Sequence, residues 1–360
     1  MGATSFRAAV VTATVVPVAL LVACAGSTPD APSASGSAGH DATRSPSATV
    51  SPGRPAPAAP ALAVDQPAWV SVSVATLWRS PASPRPVDRP ALANPARISR
   101  WLSAMTVAQR RALNGRADTQ ALLGDRVRVV RLRPRWAKVV VRDQPTPQDA
   151  RGYPGWVPRR QLSAAAPPAS DTVATVVARL AWLRTDEGGG SRVLRVGFGT
   201  RLPVVGTIGR WVRVSVPPGV VRRVRATQVS VHAPADPALP ATRAGVVSSA
   251  RMFVGLDYLW AGRSGFGFDC SGLTSLVYRV HGLTLPRDAA PQAQAGRAVT
   301  SLRRGDLLFY ATDGAVHHVS MYVGQGQMVH SPHTGSTVQV IDIDTPAYAA
   351  EYAGARRFLG

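Results

Sequence analysis

Cys270 lies in the run Phe266-Gly-Phe-Asp-Cys270-Ser-Gly-Leu-Thr and is the only cysteine beyond residue 24. Leu273, Leu276, Val277 and Val280 recur at helical spacing, so a helix over 271–280 starts directly behind the thiol. A helix start offers unpaired N–H groups and the positive end of a dipole, both of which favour a thiolate. The plainer reading of the same residue is a packed core cysteine. A nucleophilic thiol needs a base, and Val316-His-His-Val-Ser-Met-Tyr-Val323 alternates as a strand. It turns at Gly324-Gln-Gly326 and returns as Gln327-Met-Val-His-Ser331. His318, Ser320 and Tyr322 share one face of that strand, and His317 belongs to the other. A regular hairpin with a two-residue loop at 325–326 places His330 opposite Met321, facing away from His318. A three-residue loop over 324–326, ending on a left-handed Gly326 with a bulge, places His330 opposite Ser320 on the face of His318. A Cys270–His318–His330 relay therefore predicts the irregular register.

The chemistry of such a relay is nucleophilic acyl transfer. His318 takes the thiol proton and later gives it to the leaving amine, while His330 orients the His318 ring. The backbone N–H of Cys270 is the natural oxyanion donor, with Tyr258 as a second one. His317 points the wrong way to be the base, and His281 and His333 read as structural or exposed. No metal site and no cofactor is expected, because no second cysteine and no His-x-Glu pattern adjoins the histidines.

The order of motifs in the C-terminal third resembles the NlpC-type cell-wall peptidases, papain-like bacterial enzymes. The likeness rests on Tyr258-x-Trp-x-Gly, Phe268-Asp-Cys270-Ser-Gly-Leu, Leu285-Pro-Arg, Arg304-Gly-Asp-Leu-Leu-Phe309, His318-Val-x-Met-Tyr-x-Gly324 and Met328-Val-His330-Ser-Pro, and covers residues 242–360. It implies a cysteine peptidase that cleaves peptidoglycan stem peptides after γ-D-glutamate, with Cys270, His318 and His330 as the catalytic set. Ala261 stands where the family commonly has a second Gly, and Ser320 where Gly is usual. Barrel domains ahead of the peptidase are similar to a subgroup that acts on free stem peptides. That likeness implies that Asp269 and Ser271 hold the free amine of L-Ala and that the first barrel closes one end of the cleft. It makes Tyr258, Asp269, Ser271, Arg287 and Asp288 substrate-binding candidates. Each has a plainer reading beside it. Asp269 or Ser271 could cap the helix, Arg287 and Asp288 could be a surface pair, and Tyr258 could be a core aromatic, as could Trp260.

The rest of the chain must export and position this site. Residues 1–23 carry one charge, Arg7, and then an apolar run, which is a signal-peptide pattern. Leu21-Val-Ala-Cys24 resembles the bacterial lipobox, implying that Cys24 is lipidated and anchors the protein to the outer face of the cell membrane; acyl chains then stand in for a membrane span. Plain secretion to the wall is the alternative. Residues 24–67 are rich in Ala, Ser, Pro, Gly and Thr, lack hydrophobic periodicity, and read as a disordered tether.

Two similar segments follow, a first over 68–166 and a second over 170–232. Gly124 precedes Trp136 by the same twelve residues that separate Gly199 from Trp211. Short alternating runs between Gly/Pro turns indicate two small antiparallel barrels, similar to bacterial SH3-like domains, with Trp136 and Trp211 expected in their cores. Trp101, Leu102, Met105, Val107, Ala108, Ala112 and Leu113 suggest a helical insertion over 94–123 in the first barrel. A Pro-rich linker, 233–241, leads to the α+β papain-like domain.

The formal charge is +21, carried almost wholly by arginine, since Lys138 is the only lysine. Coding bias is one source of that excess; attraction to an anionic polymer or membrane surface is the other. Nucleic acid is not expected as a partner, because no basic helix or aromatic RNA-binding signature is present. A monomer acting on peptidoglycan peptides is expected. Two other functions fit parts of the sequence: an N-acetylmuramoyl-L-alanine amidase on a similar fold, and a non-catalytic wall-binding lipoprotein.

Overall fold

The computed structural model describes residues 60–188 and 190–360. The signal peptide, Cys24 and the tether as far as residue 59 lie outside the described residues. Contacts with the first barrel begin at Leu62, which packs on its core, and at Asp65, whose N–H donates to the Val129 carbonyl.

The repeat in the sequence is a repeat in topology. The first seven-stranded sheet runs Ala117–Leu122, Val74–Trp78, Tyr153–Pro158, Trp136–Val141, Arg126–Leu132, Pro67–Val70, Leu162–Ser163. The second runs Arg192–Gly197, Leu180–Thr185, Val220–Arg225, Trp211–Val216, Arg201–Ile208, Val173–Val176, Val229–His232, the same order strand for strand. Both are antiparallel, and most of the hairpin connections are short; the longest is the insertion between Val74–Trp78 and Ala117–Leu122.

The cores differ from the sequence reading at the two tryptophans. Trp136 and Trp211 are half-buried and do not fill the barrels. Alternation explains this: Ala137, Val139 and Val141 point inward in one strand, and Val212, Val214 and Val216 in the other, which turns both indoles out. Small aliphatic side chains fill both interiors. The insertion also differs. It comprises helices Arg89–Leu92, Ile98–Ala104 and Val107–Arg111, while Ala117–Leu122 is a barrel strand. Gly115, at φ 77°, ends the helical run and frees the chain to pair with Val74–Trp78. Asp88 is fully buried, accepts from the Arg85 guanidinium and from Trp101 Nε1 at 2.8 Å, and so ties the insertion's helices to one another, while the Trp101 ring packs on Trp78 of the barrel.

In the last third, helix Cys270–Val280 packs its apolar stripe on a six-stranded antiparallel sheet ordered Arg297–Val299, Tyr352–Arg357, Leu307–Thr312, Ala315–Gly324, Gln327–His330, Gln339–Asp342. Leu273, Leu276, Val277 and Tyr278 are each at most 1% exposed, worth about 1.5–3 kcal/mol apiece for the aliphatic ones. Helix Arg243–Arg251 lies against the same helix. A β-carbon on Gly272 would stand 2.0 Å from the Gly262 carbonyl oxygen, so only glycine lets the first turn approach that loop. The second barrel packs behind this helix through Phe198, Phe253 and Phe268, whose ring centroids are 5.4 and 4.8 Å apart in turn.

Candidate active site

Cys270 is the first residue of its helix. Asp269 is extended, at φ −89° and ψ −179°, and its Oδ1 accepts the Gly272 N–H at 2.7 Å, so it caps the helix. The same carboxylate is gripped by Arg287, Nη1 to Oδ1 at 3.0 Å and Nη2 to Oδ2 at 2.6 Å. Arg287 Nη1 also donates to Ser271 Oγ at 3.0 Å, and Nε to Thr119 Oγ1 of the first barrel at 2.7 Å. Arg287 is 1% exposed. It is not half of a surface pair; it holds Asp269 and Ser271 in place and ties them to the barrel. Asp288 keeps a freer carboxylate, accepting from Tyr153 O–H at 3.0 Å, again from the first barrel. Burial raises the Asp288 carboxyl, opposed by the Arg287 charge. Tyr258 is buried, and burial together with the Cys270 and Asp269 charges raises its phenol, so it is a neutral donor.

The hairpin brings His318 and His330 to one face. Met321 pairs with Val329 and Tyr322 with Met328, so His330 stands beyond them opposite Ser320. The loop that achieves this is not three residues long. Gly324 pairs with Gln327, Gln325 and Gly326 form the turn at φ 56° and 69°, and Val323 is the extra residue in the strand. Positive φ at both central positions defines a tight turn that matches strand twist, and the bulge at Val323 supplies the one-residue offset. His318 Nε2 and His330 Nδ1 are 3.0 Å apart. His330 Nε2 in turn lies 3.2 Å from the side-chain amide of Gln339, its cross-strand partner. His317 points away to Glu351, His281 bonds Ser249 Oγ and the Pro240 carbonyl, and His333 is exposed.

Electrostatics favour a neutral resting pair. Burial pushes the Cys270 thiol up to about 12, with the Asp269 charge adding to it; the Val319 and Ser271 N–H groups and Arg287 pull the other way. Burial pushes His318 down to about 3 and His330 to about 4, aided by the neighbouring imidazoles. Thiolate and imidazolium thus arise together, by proton transfer within the pair. With His318 Nε2 engaged by His330, Nδ1 is left for Cys270. For Nδ1 to be a base, the His318 proton must sit on Nε2 and be donated to His330 Nδ1. His330 then carries its own proton on Nε2 and needs an acceptor; the Gln339 amide, whose nitrogen stands 3.2 Å away, provides one when turned over so that its oxygen faces the ring.

Cys270 and His318 open on a cleft of about 810 Å³. Tyr258, Asp269, Ser271, Arg287 and Asp288 all line it, so the five binding candidates come together with the nucleophile and base. Sequence reasoning missed the opposite wall: Arg79, Asp118, Gln148 and Tyr153 of the first barrel and Arg111 and Asn114 of the insertion. It also missed Gln339. Tyr153 precedes Asp288 by 135 residues, and no spacing rule connects residues that far apart. Gln339 was closer to reach, because extending the hairpin by one more alternating strand would have put a polar residue opposite His330. Ala261 holds φ 63°, the left-handed region that glycine occupies without strain.

A thiol at a helix start, an imidazole pair on the facing sheet and a buried polar brace define a papain-like cysteine peptidase. The NlpC/P60 family profile matches residues 255–357, and the profile of the YKFC SH3b2 domain matches residues 176–232. A γ-D-glutamyl-L-lysine dipeptidyl-peptidase of Bacillus cereus is 40% identical over 305 residues, 82% of this chain and 92% of that protein. The Bacillus subtilis protein of the same name is 36% identical over 294 residues, 79% and 96% of the two chains. A crystal structure of an NlpC/P60 family protein from Bacillus cereus superposes with a TM-score of 0.78 at 39% identity, covering 82% of this chain and all of that one. The chain belongs to the NlpC/P60 family of cysteine peptidases.

Proposed function

We propose that this protein is a peptidoglycan hydrolase that cleaves the bond between γ-D-glutamate and the diamino acid of cell-wall stem peptides. The observation that carries the reading is the 3.0 Å contact between His318 and His330 beside a helix-start cysteine in an open cleft. The names of the two Bacillus relatives, both γ-D-glutamyl-L-lysine dipeptidyl-peptidases, support the choice of bond. Cys270 Sγ attacks the γ-carbonyl as its proton passes to His318, and the Cys270 N–H stabilises the oxyanion, with Tyr258 O–H a second donor. His318 then protonates the departing amine, and water releases the acyl group by the reverse transfer. We assign the free amine of an N-terminal L-Ala to Asp288 beside Tyr153, since both oxygens of Asp269 already face Arg287.

One experiment tests bond and mechanism together. A defined L-Ala-γ-D-Glu-diamino-acid peptide is incubated with the wild type and with Cys270→Ala, and the products are weighed by mass spectrometry. Release of the L-Ala-γ-D-Glu dipeptide by the wild type alone is expected, with N-acetylation of the peptide slowing it. Turnover by the alanine variant, or cleavage at a sugar–peptide bond in a muropeptide, defeats the proposal. The monomer is taken to be tethered outside the membrane through lipid on Cys24, which two or more acyl chains would suffice to anchor. Cys24→Ser should then move the protein from the membrane pellet to the soluble fraction; an unchanged distribution removes the anchor.

A further inference from the structure

Strand register gathers arginine on the outer face of the second barrel. Trp211 pairs with Arg225, Arg213 with Arg223, Arg223 with Arg184, Arg192 with Arg184, and Arg195 with Trp182. Paired residues share a face, so six arginines and two tryptophans stand together on one side. The alternate positions, among them Ala181, Leu183, Val196, Val212, Val214 and Val224, are the barrel core. Residues 170–232 carry ten arginines against three carboxylates.

Three of the face's guanidiniums are committed to structure. Arg213 forms a two-pronged pair with Asp186, Arg223 donates to the carbonyls of Thr185, Glu187 and Gly188, and Arg184 donates to that of Gly190. Arg192, Arg195 and Arg225 on the face, and Arg210 in the adjoining turn, have no carboxylate partner among the described residues. They lie over the indoles instead, Arg192 and Arg195 at 5.5 and 5.7 Å from the Trp182 ring centroid, Arg210 and Arg225 at 5.6 and 5.3 Å from that of Trp211. Such contacts hold each cation in place for about 0.5–1 kcal/mol and leave its N–H edges free for another acceptor.

The first barrel shows that the fold does not demand this. Its corresponding pairs are Trp136 with Pro158 and Lys138 with Trp156, a single cation in place of three. There the equivalent face is occupied: Trp101 of the insertion packs on Trp78, ring centroids 6.0 Å apart, and Trp78 pairs with Trp156. The second barrel has a short turn where the first has its insertion, and no insertion covers its face; Phe266 of the peptidase domain reaches only the Arg195 edge, 5.9 Å from that guanidinium.

We infer that this Arg/Trp face binds a phosphodiester polyanion of the cell envelope, docking the enzyme on the matrix that holds its substrate. Guanidinium forks match phosphate oxygens in pairs and stay charged at any physiological pH. Single-stranded nucleic acid is the poorer fit, because guanidiniums lie over the indole faces on which bases would stack. Docking needs neither Cys270 nor the cleft, so it stands or falls apart from the proposed peptidase specificity.

The test is the binding of poly(glycerol phosphate) to the full chain and to a triple variant, Arg192→Gln, Arg210→Gln and Arg225→Gln, over a range of salt concentrations. The three sites are exposed and bind no backbone carbonyl, so the variant should cleave the soluble stem peptide at the wild-type rate, which also reports that it folds. Wild-type binding that weakens with salt is expected, with the variant roughly tenfold weaker or more at low salt and its log–log salt slope smaller by about 2. No binding by the wild type overturns the inference, as does equal binding by the variant. Tighter binding of oligothymidylate, polygalacturonate or phosphatidylglycerol vesicles than of poly(glycerol phosphate) assigns the face to another partner and overturns it too.

Discussion

Replacing Gln339 by leucine should slow the enzyme without touching substrate. In the working tautomer His330 carries a proton on Nε2, 3.2 Å from the Gln339 amide, and His330 is 1% exposed. Leucine leaves that N–H buried and unsatisfied, which costs about 1–3 kcal/mol. The other tautomer escapes the cost by moving the proton to Nδ1, where it faces His318 Nε2 and drives the His318 proton onto Nδ1, against the thiol. The penalty thus falls on the reactive arrangement, and at 1.36 kcal/mol per decade kcat should drop by roughly 5- to 150-fold with KM little changed. Gln339→Glu makes the opposite change. Its carboxylate favours imidazolium in the relay, so the acid limb of the kcat/KM profile should move to higher pH. The assay is steady-state cleavage of a soluble γ-D-glutamyl peptide from pH 4 to 9. If Gln339→Leu stays within twofold of wild type, or Gln339→Glu leaves the acid limb in place, the tautomer argument is wrong.

Because burial holds His318 and His330 below the usual imidazole value, unfolding lets both take up protons at mildly acidic pH. Stability should be complete above about pH 6.5 and fall as the pH drops towards 4, by up to about 1.4 kcal/mol per unit for each histidine; chemical denaturation at pH 7 and 5 should show a smaller loss in His330→Gln than in the wild type. Ala261→Gly should raise stability by about 1 kcal/mol by relieving a left-handed alanine, read as a higher denaturation midpoint at unchanged slope; a lower midpoint would mean that packing of the methyl group outweighs the strain.

The parts of the site that could be read from the sequence are those set by local rules. Helical spacing behind Cys270 placed the thiol at a helix start. Strand parity put His318 and His317 on opposite faces, and the demand that His330 share the His318 face required an extra residue in the hairpin. The position of that residue was not legible, because a three-residue loop and a two-residue turn with a bulge at Val323 give the same pairing beyond Tyr322. The tryptophans show the limit of composition: large aromatics favour burial on average, but alternation with valine turned Trp136 and Trp211 outward. Asp269 could be read as a cap or as a ligand. Its partner Arg287 lies eighteen residues on, across a turn whose path local rules do not determine. Thr119 and Tyr153 were invisible for the same reason at longer range.

The bonds from Thr119 to Arg287 and from Tyr153 to Asp288 make the pocket a joint product of two folding units. An excised peptidase domain would keep its nucleophile and base but would expose Arg287 and lose one wall. Specificity is therefore open to redesign from outside the catalytic domain: exchanging strand Ala117–Leu122 or the segment around Tyr153 would recut the substrate's seat while leaving every reacting atom untouched.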